Sequence, residues 1–95
     1  MIQPRENFTD IPYREPVGTP AADVAQIMAN VLGVDRVGLD DSFYDFGGTS
    51  LQAIRVCVRI EQATGHALSP VSFFEHDVLA DLVDLLDSAQ AAARG

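Results

Sequence analysis

Apolar residues recur at helical spacing in four successive segments of this 95-residue chain, and no segment alternates apolar and polar residues as a strand would. The first segment follows Thr19 and Pro20, a capping residue and a proline at the first helical position, and it ends at Gly33. The second segment runs from about residue 50 to residue 64 and stops at Gly65. These signals predict two helices with defined ends.

Two further helices are predicted in the last third of the chain. Ser69 and Pro70 repeat the cap and proline signal for a short helix that ends near Glu75. A longer helix is predicted from about 77 to 91. Its outer side carries acidic residues at a spacing of three: Asp81, Asp84 and Asp87. The predicted fold is an all-α four-helix bundle of three longer helices and one short helix, with a long loop, 34–48, between the first two.

The composition limits the chemistry that this chain can perform. Fourteen acidic residues against six arginines, with no lysine, give a net charge of −8, so nucleic acid is a poor partner. The lack of lysine also excludes a P-loop and Schiff-base chemistry. The apolar fraction of 47% can build one core, but no apolar run is long enough for a membrane span and no signal peptide is visible. We expect a cytoplasmic protein whose single Cys57 forms no internal disulfide.

Three parts are predicted along the chain. Residues 1–18 are rich in proline and lack helical spacing, which indicates a flexible N-terminal tail or linker. Some of its apolar side chains can still dock on the folded domain: Phe8, Ile11 and Tyr13. Residues 19–91 are predicted to form that domain, and 92–95 to form a C-terminal tail.

Ser50 is the strongest candidate for a functional side chain. It follows Gly47 and Gly48, which permit backbone angles that other residues resist, and it heads the second helix. A phosphate esterified to Ser50 would face unpaired backbone N–H groups and the positive end of the helix dipole. The alternative is an ordinary N-cap, since serine is favoured at that position. The helix after Ser50 shows an apolar i, i+3, i+7 pattern: Leu51, Ile54 and Val58.

The run 41–51 carries a resemblance to a known family. It reads Asp-Ser-Phe-Tyr-Asp-Phe-Gly-Gly-Thr-Ser-Leu and resembles the core motif of peptidyl carrier, or thiolation, domains of nonribosomal peptide synthesis, roughly D-x-F-F-x-x-G-G-x-S-[LI]. The chain departs from the motif's usual residues at three positions: Tyr44, Phe46 and Thr49. The resemblance covers roughly residues 19–90, although His76-Asp77-Val78 replaces the family's usual Pro-Thr-Val. The paired glycines favour the peptidyl branch over acyl carriers, which more often show a single glycine.

The resemblance implies a four-helix carrier fold and a covalent cofactor on Ser50. A phosphopantetheinyl transferase would move 4′-phosphopantetheine from coenzyme A to the Ser50 hydroxyl, beside Gly48 and Thr49. The thiol of this arm would carry aminoacyl or peptidyl groups as thioesters. The chain would be a non-catalytic, monomeric carrier, loaded by an adenylation enzyme and visited by condensation, tailoring or thioesterase enzymes.

A rotation of about 100° per residue divides the second helix into two sides. The predicted inner side consists of Ala53, Ile54, Cys57 and Val58. The predicted outer side consists of Gln52, Arg55, Val56 and Arg59. An exposed apolar residue between two arginines indicates a docking surface, and the resemblance supports docking through this helix and the loop before it. The predicted partner interface is Leu51, Arg55, Val56 and Arg59, with Tyr44 and Phe74.

Other site chemistries fit the sequence less well. The acidic residues of the loop do not follow the EF-hand pattern, so no metal site is expected: Asp40, Asp41 and Asp45. A hydrolase would need His66 or His76 beside Ser50, and the nucleophile-elbow pattern fails at Gln52, so no catalytic residue is expected. Two alternatives stay open: an acyl carrier of polyketide or fatty-acid type, and an acidic helical interaction module without a prosthetic group.

Overall fold

The computed structural model describes residues 2–94, with side chains described up to residue 89, and four α-helices form most of it. They are α1 (Ala21–Leu32), α2 (Ser50–Thr64), α3 (Pro70–Glu75) and α4 (Leu79–Arg94). Short 3-10 turns lie at Arg5–Asn7 and Phe43–Phe46. Within residues 2–94, extended backbone pairs only at two isolated bridges. The all-α prediction, with three longer helices and one short helix, is confirmed.

Glycines end α1 and α2 at the predicted positions. Gly33 and Gly65 have φ angles of 75° and 77°, the left-handed region that favours glycine. Their N–H groups donate to carbonyl oxygens one turn back, those of Ala29 and Glu61. These two glycines therefore close the helices as C-caps.

Three helix ends differ from the prediction. Pro20 occupies the N-cap position itself rather than the first helical position, and α1 begins at Ala21 without a side-chain cap. The last helix begins at Leu79 rather than near residue 77. It continues through Arg94, into the predicted tail at 92–95, whose final residue lies outside the described residues.

One apolar core holds the helices together. α1 packs against α2 and α4, and α2 packs against α3. The loop before α2 contributes to the same core, which has these among its largest fully buried side chains: Phe43, Phe73, Met28, Ile60, Leu79 and Leu82. Within residues 2–94, none of the helices combines the length and apolar character that a membrane span requires.

The buried side of α2 includes only half of the predicted inner side, Ala53 and Cys57. Its buried residues are Ala53, Val56, Cys57 and Ile60. Val56 has no exposed surface, so its predicted place on the partner interface is wrong. Ile54 and Val58 were predicted to be inside and are exposed. Both sets cluster on one side of a helix, and the positions of α1 and α3 decide that the i, i+3, i+4, i+7 set is the buried one.

The N-terminal segment lies on the bundle rather than apart from it. Gln3 pairs with the end of α1, accepting a hydrogen bond from Asp35 N at 2.9 Å and donating one to Gly33 O at 2.8 Å. The Phe8 ring packs against Phe46 with centroids 5.5 Å apart. No local periodicity in residues 1–18 signals these contacts, because each depends on a residue far away in the sequence.

Candidate functional site

Two glycines before α2 have different structural roles. Gly47 has a φ of 77°, in the left-handed region, and closes the turn at Phe43–Phe46 by donating its N–H to Tyr44 O. Gly48 instead lies against the Phe43 ring, where an added Cβ would be 2.2 Å from Cε2. The Phe43 ring is fully buried, so only glycine fits at position 48 with the ring in place.

Thr49, and not Ser50, caps α2. The Thr49 hydroxyl accepts a hydrogen bond from Gln52 N at 3.1 Å, and the Gln52 side chain accepts one from Thr49 N at 3.0 Å. This reciprocal pair is a capping box. The ordinary-cap alternative for Ser50 is therefore wrong, because the cap is supplied by its neighbour.

Ser50 is the first residue of α2, and its side chain is exposed. Among the described backbone and the side chains up to residue 89, no group hydrogen-bonds to its hydroxyl or to the N–H groups of Ser50 and Leu51. Unpaired N–H groups in the first turn of a helix, together with the helix dipole, favour a negatively charged group nearby. The site can therefore accept an anionic substituent without displacing a structural hydrogen bond.

An apolar groove of about 230 Å³ opens beside Ser50, between α2 and α3. We call it the Ser50 groove, and it is lined by Tyr44, Ser50, Ala53, Ile54, Pro70, Val71 and Phe74. Phe74 is 64% exposed and stacks edge-on against the half-buried Tyr44, with centroids 5.5 Å apart. The lining is mainly apolar, so the groove offers a surface for binding beside the serine.

The predicted interface residues other than Val56 lie on the molecular surface. Leu51 is 60% exposed, and Arg55 and Arg59 are exposed along the same helix. Three exposed apolar residues of this surface were missed: Ile54, Val58 and Val71. The i, i+3, i+7 spacing of Leu51, Ile54 and Val58 was the available signal, because it places Ile54 and Val58 on the same face as the predicted interface residue Leu51.

The loop before Ser50 is fastened to the start of α4. Phe43 N donates to Asp77 O at 3.0 Å, and the Ser42 hydroxyl donates to the Asp77 carboxylate. Leu79 N and Ala80 N donate to Asp41 O and Leu39 O. The nearby Tyr44 phenol has a raised pKa, caused first by desolvation and then by the negative charge of Asp77. The loop therefore presents Ser50 from a fixed support.

Two aspartates of this loop form ion pairs with arginines. The Asp41 carboxylate is buried against Arg5, and Asp40 pairs with Arg14 at the surface. The Arg14 hydrogen bond holds the pKa of Asp40 below its usual value. No cluster of three or more metal-ligating side chains occurs in the part of the chain that the structure describes.

Comparison with known proteins matches residues 22–86 to a family model described as a phosphopantetheine attachment site. The chain is 41% identical over 75 residues to a dimodular nonribosomal peptide synthase of Bacillus subtilis (strain 168). That match covers 78% of this chain and 3% of the synthase. The chain thus spans only a small part of this curated relative.

Solved structures give the same similarity at the level of the fold. A nonribosomal PCP domain has a TM-score of 0.66 and 39% sequence identity, covering 73% of this chain and 88% of that domain. A peptidyl carrier protein, solved with the phosphopantetheine transferase Sfp and coenzyme A, has a TM-score of 0.76 and 25% identity. The latter match covers 80% of this chain and 99% of that one. The family match includes Ser50 and its loop but begins after the N-terminal segment.

Proposed function

We propose that Ser50 carries a covalent 4′-phosphopantetheine, because this chain belongs to the phosphopantetheine attachment-site family. Within that family the chain is a peptidyl carrier, or thiolation, domain, which is a substrate of other enzymes and not itself an enzyme. The observation that supports Ser50 most directly is its exposed hydroxyl, which is not used in capping. Gly48 and Thr49 support the site by shaping the entry to α2.

The surroundings of Ser50 fit a phosphodiester. The free N–H groups of Ser50 and Leu51 and the positive end of the α2 dipole stabilise negative charge at this point. The chain's net charge of −8 makes such local compensation valuable, because the overall field repels anions. When attached, the group supplies the thiol that holds a cargo as a thioester. The chain itself supplies the anchor, the orientation and the surface that enzymes recognise.

The partners proposed for this carrier dock on the face that contains the Ser50 groove. They are a phosphopantetheinyl transferase, an adenylation enzyme, and condensation, tailoring or thioesterase enzymes. The face presents exposed apolar side chains beside the basic Arg55 and Arg59 on α2: Leu51, Ile54, Val58, Val71 and Phe74. Large apolar side chains exposed together mark an interaction site better than scattered ones do. Brief docking at this face would bring the Ser50 arm to each active site.

Incubation with coenzyme A and a broad-specificity phosphopantetheinyl transferase, followed by intact-mass measurement, tests the assignment. The wild-type chain is expected to gain the mass of one phosphopantetheine group, and Ser50→Ala is expected to gain none. Ser50→Ala should unfold at nearly the wild-type denaturant concentration, because Thr49 and Gln52 provide the cap. Failure of the wild type to gain mass, or an equal gain in Ser50→Ala, would contradict the proposal.

Thr49→Ala is the matched control. Loss of its capping hydrogen bond should lower the free energy of unfolding by about 1 kcal/mol. The mass gain should still occur, because the Ser50 hydroxyl is unchanged. Thr49→Ala therefore lowers stability without removing the attachment point, whereas Ser50→Ala removes the attachment point with little effect on stability.

The cargo class distinguishes the peptidyl carrier from the acyl-carrier alternative. Loading of the modified chain by an adenylation enzyme with an amino acid and ATP supports the peptidyl carrier, and loading only by an acyltransferase supports the acyl carrier.

We further propose that the carrier domain spans 19–91 and works in the cytoplasm, where a reduced Cys57 is expected.

A further inference from the structure

Arg5 is buried, although it lies in the segment outside the family match. It is 2% exposed, and Arg5 and Asp41 are the buried charged residues of the described core. The Arg5 guanidinium donates from Nη2 to Asp41 Oδ1 at 2.7 Å and from Nε to Oδ2 at 2.5 Å. Its Nη2 also donates to Ile11 O at 2.7 Å. Arg5 and Asp41 therefore form a bidentate ion pair, and the bond to Ile11 O also fixes the backbone of the N-terminal segment.

The pair is enclosed on the side of the N-terminal segment. Arg5 N donates to Asp35 Oδ1 at 2.8 Å, just after α1. The centroid of the Tyr13 ring lies 5.3 Å from Arg5 Cζ and 3.9 Å from Arg36 Cζ. Leu39 N donates to the Arg14 carbonyl at 2.9 Å. The segment is therefore held to the bundle at several points around Arg5.

Asp41 organises the loop from within. Its Oδ2 accepts a hydrogen bond from Gly38 N at 2.8 Å, and its backbone N–H donates to Gly38 O at 3.1 Å. Its carbonyl accepts from Leu79 N at the start of α4. A buried carboxylate in this position needs a cation, because removal of one member of a buried ion pair leaves an uncompensated charge. Arg5 supplies that cation.

A series of packed side chains connects Asp41 to Ser50. Phe43, two residues after Asp41, has its ring against Gly48, and that ring also packs edge-on against Phe73 at a centroid distance of 5.0 Å. Gly48 leads directly into the cap at Thr49 and then Ser50. A shift of the loop at Asp41 therefore shifts the backbone that presents the serine.

We propose that Arg5 is a positioning residue for modification of Ser50, holding residues 38–48 in the arrangement that a phosphopantetheinyl transferase recognises. This inference rests on the function proposed above for Ser50. It extends the working unit of this carrier upstream of residue 22, where the family match begins. Residues 3–14, which we call the strap, hold this loop in place through their contacts with Asp41 and Leu39.

The test uses the full 95-residue chain and the double variant Arg5→Met/Asp41→Asn, which removes both charges and leaves no unpaired buried ion. Its circular dichroism should stay helical. The KM for transferase-catalysed modification should rise about fivefold with kcat unchanged, a size expected for coupling through packed groups. Amide exchange should accelerate in residues 38–48 and stay slow in α1 and α2.

Two single variants complete the test. Arg5→Lys keeps the positive charge but cannot form the bidentate ion pair with Asp41, so its KM should lie between those of the wild type and the double variant. Arg14→Gln is the matched control, because Arg14 forms a similar pair with Asp40 from the same segment but at the exposed surface. Exposed pairs contribute little, so its KM and loop exchange should equal those of the wild type.

Unchanged KM and unchanged loop exchange in the double variant, at any stability, would show that Arg5 is only a structural residue. An equal rise of KM in Arg14→Gln would also overturn the proposal, because it would assign the effect to loss of positive charge in general. If the wild-type chain gains no mass at Ser50, the proposed function fails, and local acceleration of loop exchange still tests the strap separately.

Discussion

The ring of Phe43 lies where a side chain at Gly48 would begin. The position of an added Cβ is 2.2 Å from Cε2, 2.6 Å from Cδ2 and 2.7 Å from Cζ of that ring. Phe43 is fully buried and packs edge-on against Phe73 and Tyr44, so the ring has no free space to move into. The two residues therefore constrain each other at the entry to α2.

Gly48→Ala should lower the free energy of unfolding by about 3 kcal/mol, since overpacking of a rigid core displaces several side chains. Gly47→Ala should cost only about 1 kcal/mol, because position 47 has open space and only the left-handed backbone angle penalises alanine. Urea unfolding measures both. Gly65→Ala is the control, having the same φ of 77° and open space. Equal losses in all three variants would exclude a special contact at Gly48.

Val56 and Val58 form a matched pair for the corrected orientation of α2. Val56→Ala should lower the free energy of unfolding by about 2 kcal/mol, because it removes fully buried apolar surface. Val58→Ala should change it by less than about 0.5 kcal/mol, since Val58 is 48% exposed. The same Val58 substitution should weaken docking of the proposed partners, measured as a higher KM for the transferase. If Val58→Ala were instead the more destabilising variant, the orientation predicted from the sequence, with Val58 inside and Val56 outside, would be the correct one.

The stability of the fold should decline in alkaline solution. Burial raises the pKa of the Cys57 thiol above its ordinary value of 9.0, and desolvation, aided by Asp77, raises that of Tyr44 above 10.0. Both groups hold their protons more tightly when folded, so the unfolded chain releases protons first as the pH rises. Their stabilising contribution is complete below about pH 9 and is lost as the pH passes through the folded-state pKa values.

Urea unfolding at a series of pH values from 7 to about 11 measures this decline. The combined variant Cys57→Ala/Tyr44→Phe should show a flatter dependence than the wild type. The chain has no lysine, so few other side chains contribute to the pH dependence in this range. A stability that rises between pH 8 and 10, or an identical slope in the variant, would be inconsistent with the assignment.

The sequence predicted features that depend on local backbone chemistry. Gly33 and Gly65 end helices because their left-handed angles are a local requirement. Ser69 caps α3 by accepting from Ser72 N, a contact within one turn. The family motif around Ser50 is local in the same sense, since eleven consecutive residues carry it.

The sequence did not predict features that depend on distant partners. Val56 and Val58 are both apolar residues at helical spacing, and only the positions of α1 and α3 decide which one is buried. Arg5 pairs with a carboxylate 36 residues away, and a proline-rich segment gives no sign of such a contact. Thr49 and Ser50 are both good caps, and the geometry of Gln52 decides between them.

The hydrogen bonds between the loop and the start of α4 also have a consequence for the order of folding. Ser42 and Asp77 are 35 residues apart, so their contact closes a long stretch of chain and has a high entropic cost until α4 is in place. A growing polypeptide that ends before Asp77 contains Ser50 and all of α2 but lacks this support. The support of the loop that presents the serine is thus completed by residues synthesised after the serine itself.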